Sequence, residues 1–378
     1  MTQTFDIENS VRKHRADHIL IACVFLLTGV GLVTLYSASY AFGERFYKSG
    51  LYFFSKQVIY SLVGFAAFFV VSWIKLSTLR RFIVPMVAIT FVLCVLPFVP
   101  GVGVTKNGAS RWIRVTDSNT FQPSELVKLT LPFYLAHIFS KKQERINSLI
   151  SGILPPAMIT FLFFMIIYLQ NNFSTAVFIT VNALFISFLA GVRYRYFICG
   201  AIVLIPTTVF LVLTKEHRLR RVISFFMPDW EPQGAGFQVH SSLLSIGSGG
   251  LLGKGFGQGT RKIASVPEIH SDFIFSSFSE ETGLVGVILF YALFAAFTIH
   301  GYRAALKCQD MFRRLLGCGL VTMISSQALL NIAVVSGAVP TTGLPLPFFS
   351  AGGSSLAITL IIAGLIVNIS RNREERYV

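Results

Sequence analysis

Glu125 and Lys128 lie three residues apart in Pro123-Ser-Glu125-Leu-Val-Lys128-Leu-Thr-Leu, so on a helix both project from one face. Flanked by apolar residues, such a pair is costly unless the charges meet or face a polar cavity. It therefore marks an interior surface, either as a structural ion pair or as the wall of a substrate site. Asp272 closes the polar stretch Glu268-Ile-His270-Ser-Asp272 just before the apolar Phe273-Ile-Phe. A carboxylate there, half-dehydrated yet reachable from water, suits a general base or a ligand for a hard cation; at a helix start it equally suits an N-cap. His270 has no spaced partner and makes no metal motif by itself.

Other stretches invite a chemical reading. Glu280 and Glu281 are adjacent and point different ways around a helix, so at most one shares the face of Asp272, and pairing with an Arg or a backbone group accounts for them. Gly247-Ser-Gly249-Gly250-Leu-Leu-Gly253-Lys254-Gly255-Phe-Gly257 has the flavour of a phosphate loop but carries Ser248 and Gly255 where the Walker pattern needs Gly and Ser or Thr. Its N–H groups could meet a pyrophosphate, or the stretch is a re-entrant turn. Arg218, Arg220, Arg221, Lys254, Arg261 and Lys262 fall in one long segment and could hold an anionic head group or be solvated surface. Pro340 to Ser355 is uncharged and punctuated by Pro and Gly, which at membrane depth is tolerated where it lines a cavity or is covered by protein.

The elements that must carry these residues follow from composition. Of 378 residues 53% are hydrophobic and 13% charged, against about 25% charged in a soluble domain, and the mean hydropathy is +0.67. An ordinary soluble enzyme is excluded. The net charge of +15 is no nucleic-acid footprint, because the basic residues sit between hydrophobic runs instead of on one solvated face. The five cysteines form no disulfide framework on this reading. Ten apolar runs stand near 18–39, 57–74, 82–98, 124–140, 150–170, 172–191, 195–214, 275–300, 315–337 and 350–370. The first is too long for a cleaved signal, whose apolar region is about 7–15 residues.

Assigned alternately to the two sides, Lys and Arg concentrate on the segments that share a side with the N-terminus, as at Lys75, Arg80 and Arg81 or Arg303, Lys307, Arg313 and Arg314. The expectation is an all-α polytopic membrane protein of ten transmembrane helices with both termini cytoplasmic. It forms a single integral membrane domain over 1–378, with a cytoplasmic N-terminus at 1–17, a long outside loop at 215–273 between helices 7 and 8, and a cytoplasmic tail at 371–378. The outside segments 99–123 and 215–273 are where aqueous chemistry is to be sought.

Several separated motifs, in order, give a resemblance that spans essentially the whole chain: Asn107-Gly-Ala-Ser-Arg111-Trp112-Ile, Phe121-Gln-Pro-Ser-Glu125-Leu-Val-Lys128, Arg218-Leu-Arg220-Arg221-Val, Gly234-Ala-Gly236-Phe-Gln238, Ile246-Gly-Ser-Gly-Gly250, His270-Ser-Asp272-Phe-Ile-Phe, Glu280-Glu281-Thr-Gly283, and Leu344-Pro-Leu-Pro347 through Gly352-Gly-Ser-Ser355. Together they resemble the SEDS family (shape, elongation, division and sporulation) of bacterial RodA and FtsW proteins. The Arg218-Leu-Arg220-Arg221 and Leu-Pro-Leu-Pro-Phe patterns favour the FtsW type.

The resemblance implies a ten-helix peptidoglycan glycosyltransferase of the bacterial inner membrane. It would polymerise lipid II, the undecaprenyl-diphosphate-linked disaccharide peptide, in septal wall synthesis, beside a class B penicillin-binding protein that crosslinks the strands and other division proteins. It implies Asp272 as the catalytic residue, and Glu125 and Lys128 in the cavity. Arg111, Arg218, Arg221, Ser354 and Ser355 complete the expected substrate site. A divalent cation, Mg²⁺ or Mn²⁺, is expected from the diphosphate leaving group, with its ligands unassigned. The chain departs from the family pattern at Asn172, where an Asp is usual, at Ala351 in place of Tyr, and at Thr342, where many FtsW proteins carry Lys. Elongation in place of division, transport of lipid II, and a non-catalytic scaffold remain the competing functions.

Overall fold

Asp17 starts the first helix. Its backbone is extended (φ −68°, ψ 106°) and its carboxylate accepts from the N–H groups of Ile19 and Leu20, satisfying two donors that a helix start leaves without partners. The second carboxylate oxygen meets Nδ1 of His300 at 2.8 Å, and the Asp17 N–H donates to Ser370 Oγ, so three distant helices share one clasp. The computed structural model describes residues 16–106, 108–116, 119–227, 235–259 and 271–371. The basic clusters at 12–15 and 373–376, with Arg261, Lys262, Glu268 and His270, lie outside the described residues.

The helices are α1 (His18–Tyr47), α2 (Tyr52–Trp73), α3 (Leu76–Arg81), α4 (Ile83–Val95), α5 (Pro123–Lys141), α6 (Leu154–Leu169), α7 (Phe173–Leu189), α8 (Tyr194–Leu213), α9 (Glu216–Phe226), α10 (Ala235–Ser248), α11 (Ile274–Leu306), α12 (Met311–Val335) and α13 (Gly353–Ser370). Every apolar run read from the sequence is helical. Among the described residues seven stretches are long and apolar enough to cross a bilayer, on α1, α2, α6 with the turn before it, α8, α11, α12 and α13. The expected spans over α4 and α7 fall on apolar but shorter helices, and that over α5 on the helix bearing Glu125 and Lys128. The chain is a multi-pass membrane protein.

The core sits around α12 and α13, the most enclosed helices, with α5, α7 and α11 packed about them. Close approach of α2 and α13 depends on small residues: a Cβ at Gly364 would lie 2.6 Å from the Phe68 carbonyl oxygen, and one at Gly64 2.5 Å from Leu360 Cδ1. α8, in contrast, has no buried residue.

Two expectations are corrected. The fold is not wholly α: β1 (Gly103–Lys106), β2 (Ala109–Thr116) and β3 (Asn119–Phe121) form an antiparallel sheet in the order β1-β2-β3, pairing Gly103 with Ile113 and Ile113 with Phe121. Trp112, Ile113, Val115 and Thr116 are strand formers, a signal that a search for long apolar runs does not register. The segment after α8 is not a plain loop either, since it holds the amphipathic helix α9 and then α10.

The glycine-rich stretch after α10 is a structural plug. α11 breaks at Gly283 (φ 63°, ψ −165°), and the backbone groups stranded on both sides of the break bond the turn at Gly250–Gly255. Lys254 and Gly255 N–H donate to the carbonyls of Glu280 and Glu281 (both 3.0 Å), while Leu284 and Val285 N–H donate to those of Gly250 and Leu251 (2.9 and 3.2 Å). The carboxylates are held there too: Glu280 by Lys254 Nζ (2.7 Å) and Glu281 by Ser37 Oγ (2.6 Å). Of the expected Arg or backbone partners, Glu281 finds a backbone group, the Gly257 N–H (3.2 Å), while Glu280 pairs with a lysine of the plug.

Gly283 occupies backbone space open essentially to glycine alone, where another residue costs about 1–3 kcal/mol. A Cβ would also press on Gly253 N and lie 2.7 Å from the Leu251 carbonyl oxygen. Gly283→Ala is therefore expected to lower the thermal midpoint of the detergent-solubilised protein by several degrees or prevent its accumulation. Gly247→Ala, in open space on α10, should leave the midpoint unchanged or raise it slightly.

Candidate active site

A cavity of about 1350 Å³ opens where α5, α7 and α13 begin, between the sheet, α9 and the irregular segment that joins α12 to α13. Asp272, Glu125, Arg111, Arg218, Arg221, Ser354 and Ser355 all line it. These residues come from five separate stretches of the chain. Lys128 does not line the cavity. It lies behind Glu125 with 2% of its surface exposed.

The Glu125–Lys128 pair follows from the start of α5. Pro123 occupies the first turn, where its missing N–H costs nothing, and the three-residue spacing stacks the two side chains. Lys128 Nζ donates to both Glu125 carboxylate oxygens (2.8 and 3.0 Å) and to Gln327 Oε1 (2.8 Å). An ammonium has three donors, and all three are used. In this geometry Lys128 has none left for a substrate, and the cavity meets Glu125 instead.

Asp272 does not cap α11: Phe273 holds the N-cap position, without a side-chain bond to the helix. The capping role that its position suggested is not the one it plays. The backbone around Asp272 is gripped from two sides, its own carbonyl accepting from Asn331 Nδ2 (2.8 Å) and that of Ser271 from Ser350 Oγ (2.6 Å). Across the cavity wall Asp272 Oδ2 faces Gly343, where an added Cβ would come within 3.5 Å of it.

Another part of the lining is basic, with Arg111, Arg218 and Arg221. Arg218 is 5% exposed, its guanidinium between the rings of Tyr168 (4.7 Å) and Phe173 (4.8 Å), with Nη1 donating to the Leu211 carbonyl (3.1 Å). Among the described residues, aromatic faces and one carbonyl stabilise the charge, with no carboxylate paired to it. Its Nε has no partner among the described residues. Arg111 donates to the carbonyl of Asn171, a residue in the left-handed region (φ 59°) whose own Nδ2 donates to the Gly108 carbonyl. Burial, then the charges of Arg218, Arg221, Arg111 and Lys215, hold the His217 imidazole below its usual range, so it stays neutral near pH 7.

The sequence reading missed Lys56, Lys215 and His217 in the cavity wall, and Gln327 and Asn331 behind it. For His217 a signal existed in its place beside Arg218. For Gln327 and Asn331 it was their four-residue spacing on α12, in an apolar run that also carries Thr322, Ser325 and Ser326.

The family model of the FtsW, RodA and SpoVE cell cycle proteins matches residues 17–375. A protein of Geobacter sulfurreducens named "Probable peptidoglycan glycosyltransferase FtsW" is 39% identical over 356 residues, 94% of this chain and 95% of that one. Stage V sporulation protein E of Bacillus subtilis is 35% identical over 362 residues, 96% and 99% of the two chains. Among solved structures, a chain described under "Structural coordination of polymerization and crosslinking by a peptidoglycan synthase complex" matches with a TM-score of 0.79 at 27% identity, over 95% of this chain and 99% of that one. The rod shape determining protein RodA of Thermus thermophilus matches with a TM-score of 0.70 at 26% identity, over 95% and 98%. With a match across nearly its whole length, the chain belongs to the FtsW/RodA/SpoVE family of cell cycle proteins, the SEDS family that its motifs resemble.

Proposed function

We propose that the chain is a peptidoglycan glycosyltransferase of septal wall synthesis, polymerising lipid II by an inverting transfer. The observation that carries this is a single cavity lined by Asp272 together with Arg111, Arg218 and Arg221. The 4-hydroxyl of an acceptor sugar attacks the anomeric carbon of the donor, a C–O bond forms there, and the bond to the diphosphate breaks. Asp272 takes the hydroxyl proton, and undecaprenyl diphosphate leaves. The arginines offset charge developing on the leaving group. The FtsW names of the relatives favour division over elongation. The complex among the structural relatives favours a class B penicillin-binding protein as partner, in the bacterial cytoplasmic membrane with other division proteins.

The donor set bears on the expected cation. Among the described residues no three His, Cys, Asp or Glu cluster as a metal site, and Glu125, the second carboxylate of the cavity, has both oxygens on Lys128. That set fits Mg²⁺ or Mn²⁺ only as an ion carried chiefly by the diphosphate, since Mg²⁺ is commonly held by one or two carboxylates plus substrate phosphates. When bound, the ion would neutralise leaving-group charge.

We further propose ten spans with both termini inside, α4, α5 and α7 completing the seven longer helices. The cavity then opens on the outer face, where lipid II must be joined. Alkaline phosphatase fused after Val378 or within 141–148 should be inactive, and one inserted in the turn between β2 and β3 active; the reverse pattern would overturn both topology and site.

The decisive variant is Asp272→Asn, which keeps the size of the side chain and removes the base. Purified with lipid II, a divalent cation and the penicillin-binding partner, it should insert and bind the partner normally but lose polymer formation by at least about 100-fold. Glu should rescue poorly, because one methylene displaces the carboxylate. Polymerisation by folded Asp272→Asn at the parent rate would leave transport or scaffolding as the function.

A further inference from the structure

The irregular segment that joins α12 to α13 is held by side chains, and two of them come from one face of α12. Gln327 and Asn331 stand four residues apart, 3% and 1% exposed. Gln327 Nε2 donates to the Pro345 carbonyl (2.7 Å), while its oxygen accepts from Lys128. Asn331 Nδ2 donates to two carbonyls at once, those of Asp272 and Leu344 (both 2.8 Å). The two acceptors fix which end of the Asn331 amide is nitrogen.

This amide spends both N–H donors on joining the stretch that bears Asp272 to the wall facing it. Its Oδ1 is left with no partner among the described residues, a costly arrangement for a buried group that serves packing alone. Ser350 repeats the connection one residue earlier, donating to the Ser271 carbonyl and accepting from Leu346 N–H, and Gln57 holds the Ser350 carbonyl (2.9 Å). Phe348, buried in the same segment, has φ 68°, which a bulky residue adopts only where its surroundings impose it.

We propose that Gln327 and Asn331 are positioning residues for glycosyl transfer, and that Lys128 serves the reaction through Gln327 without touching substrate. This rests on the reading of Asp272 as the base. Glu125 orients the ammonium, the ammonium fixes the Gln327 amide, and the amide fixes Pro345; Asn331 sets Asp272 against that same wall. The distance from the carboxylate to the acceptor hydroxyl is what this chain of bonds controls.

The test uses the full-length protein with its penicillin-binding partner, lipid II and Mg²⁺, and separates kcat from KM. Gln327→Leu and Asn331→Asp should each lower kcat about tenfold and leave KM for lipid II within about twofold, measured below a thermal midpoint that the stranded polar groups lower by several degrees. Should Gln327→Leu fail to accumulate, Gln327→Glu keeps an acceptor for Lys128 but cannot donate to Pro345, and carries the same expectation. The neutralised pair Glu125→Gln/Lys128→Met should lower kcat similarly, and adding Gln327→Leu to it should cost little more, because both act along one path.

Multiplicative losses, or a rise in KM at constant kcat for the Glu125→Gln/Lys128→Met pair, would place the pair on the substrate and overturn the proposal. So would parent kcat in both Gln327→Leu and Asn331→Asp while Asp272→Asn is inactive. Activity in Asp272→Asn would instead refute the reading of the base itself, so the two failures are distinguishable.

Discussion

Hydrocarbon offers no hydrogen-bond partner, so a polar group at membrane depth must be satisfied by the protein or left at a cost of several kcal/mol. The Glu125–Lys128 pair is where this constraint acts most strongly. An ammonium with three donors in a dry bundle needs three acceptors, and it finds two on Glu125 and the third on Gln327. That third bond carries the consequence outward. Fixing the Gln327 oxygen directs its amide nitrogen at Pro345, in the wall of the cavity. Satisfying a charge in the interior and shaping the site are thus one arrangement.

The same constraint explains the break in α11. A helix interrupted at Gly283 strands carbonyls on one side and N–H groups on the other, and where the helix is buried they need partners within the protein. The turn at Gly250–Gly255 supplies the missing partners as a strand would, with glycines because its backbone must come within hydrogen-bonding distance of another backbone. What looks in sequence like a phosphate loop is a loop in which the N–H groups of Gly253, Lys254, Gly255 and Gly257 already have acceptors. Arg218 shows a second solution: where no carboxylate is at hand, two aromatic faces and a carbonyl hold the guanidinium, and its charge remains available to the cavity.

How much of this was legible in the sequence follows from the range of each interaction. Apolar runs located every long helix, because lipid solvation acts on each residue locally. Spacing within α5 paired Glu125 with Lys128 for the same reason. The partner Gln327, 199 positions away, left no local trace beyond polarity in an apolar helix. Asp272 was marked by motif and position, but its apparent fitness as a cap came from position alone, and backbone geometry gives that place to Phe273. Asn172, noted because an acid is usual there, lines the cavity as a buried amide whose Nδ2 approaches Ser124 Oγ at 3.5 Å. An acid at that place would add negative charge beside Glu125, and the Asn leaves the wall more positive.

The stretch from Pro340 to Gly352 is irregular, and irregular backbone has no ladder of its own to stiffen it. Its rigidity must come from outside, and the bonds that supply it are few and traceable: Asn331 to Leu344, Gln327 to Pro345, Ser350 to Leu346 and Gln57 to Ser350. Three of these bonds are donated by side chains on helices, and Ser350, in the fourth, also donates to the Ser271 carbonyl, next to the carboxylate. A catalytic wall made of loop can therefore hold its shape as well as a helix would, provided the helices behind it give up buried amides to do so. Apolar residues at those places would pack the bundle equally well, but they would leave the carbonyls of the wall unpaired and the distance across the cavity unfixed.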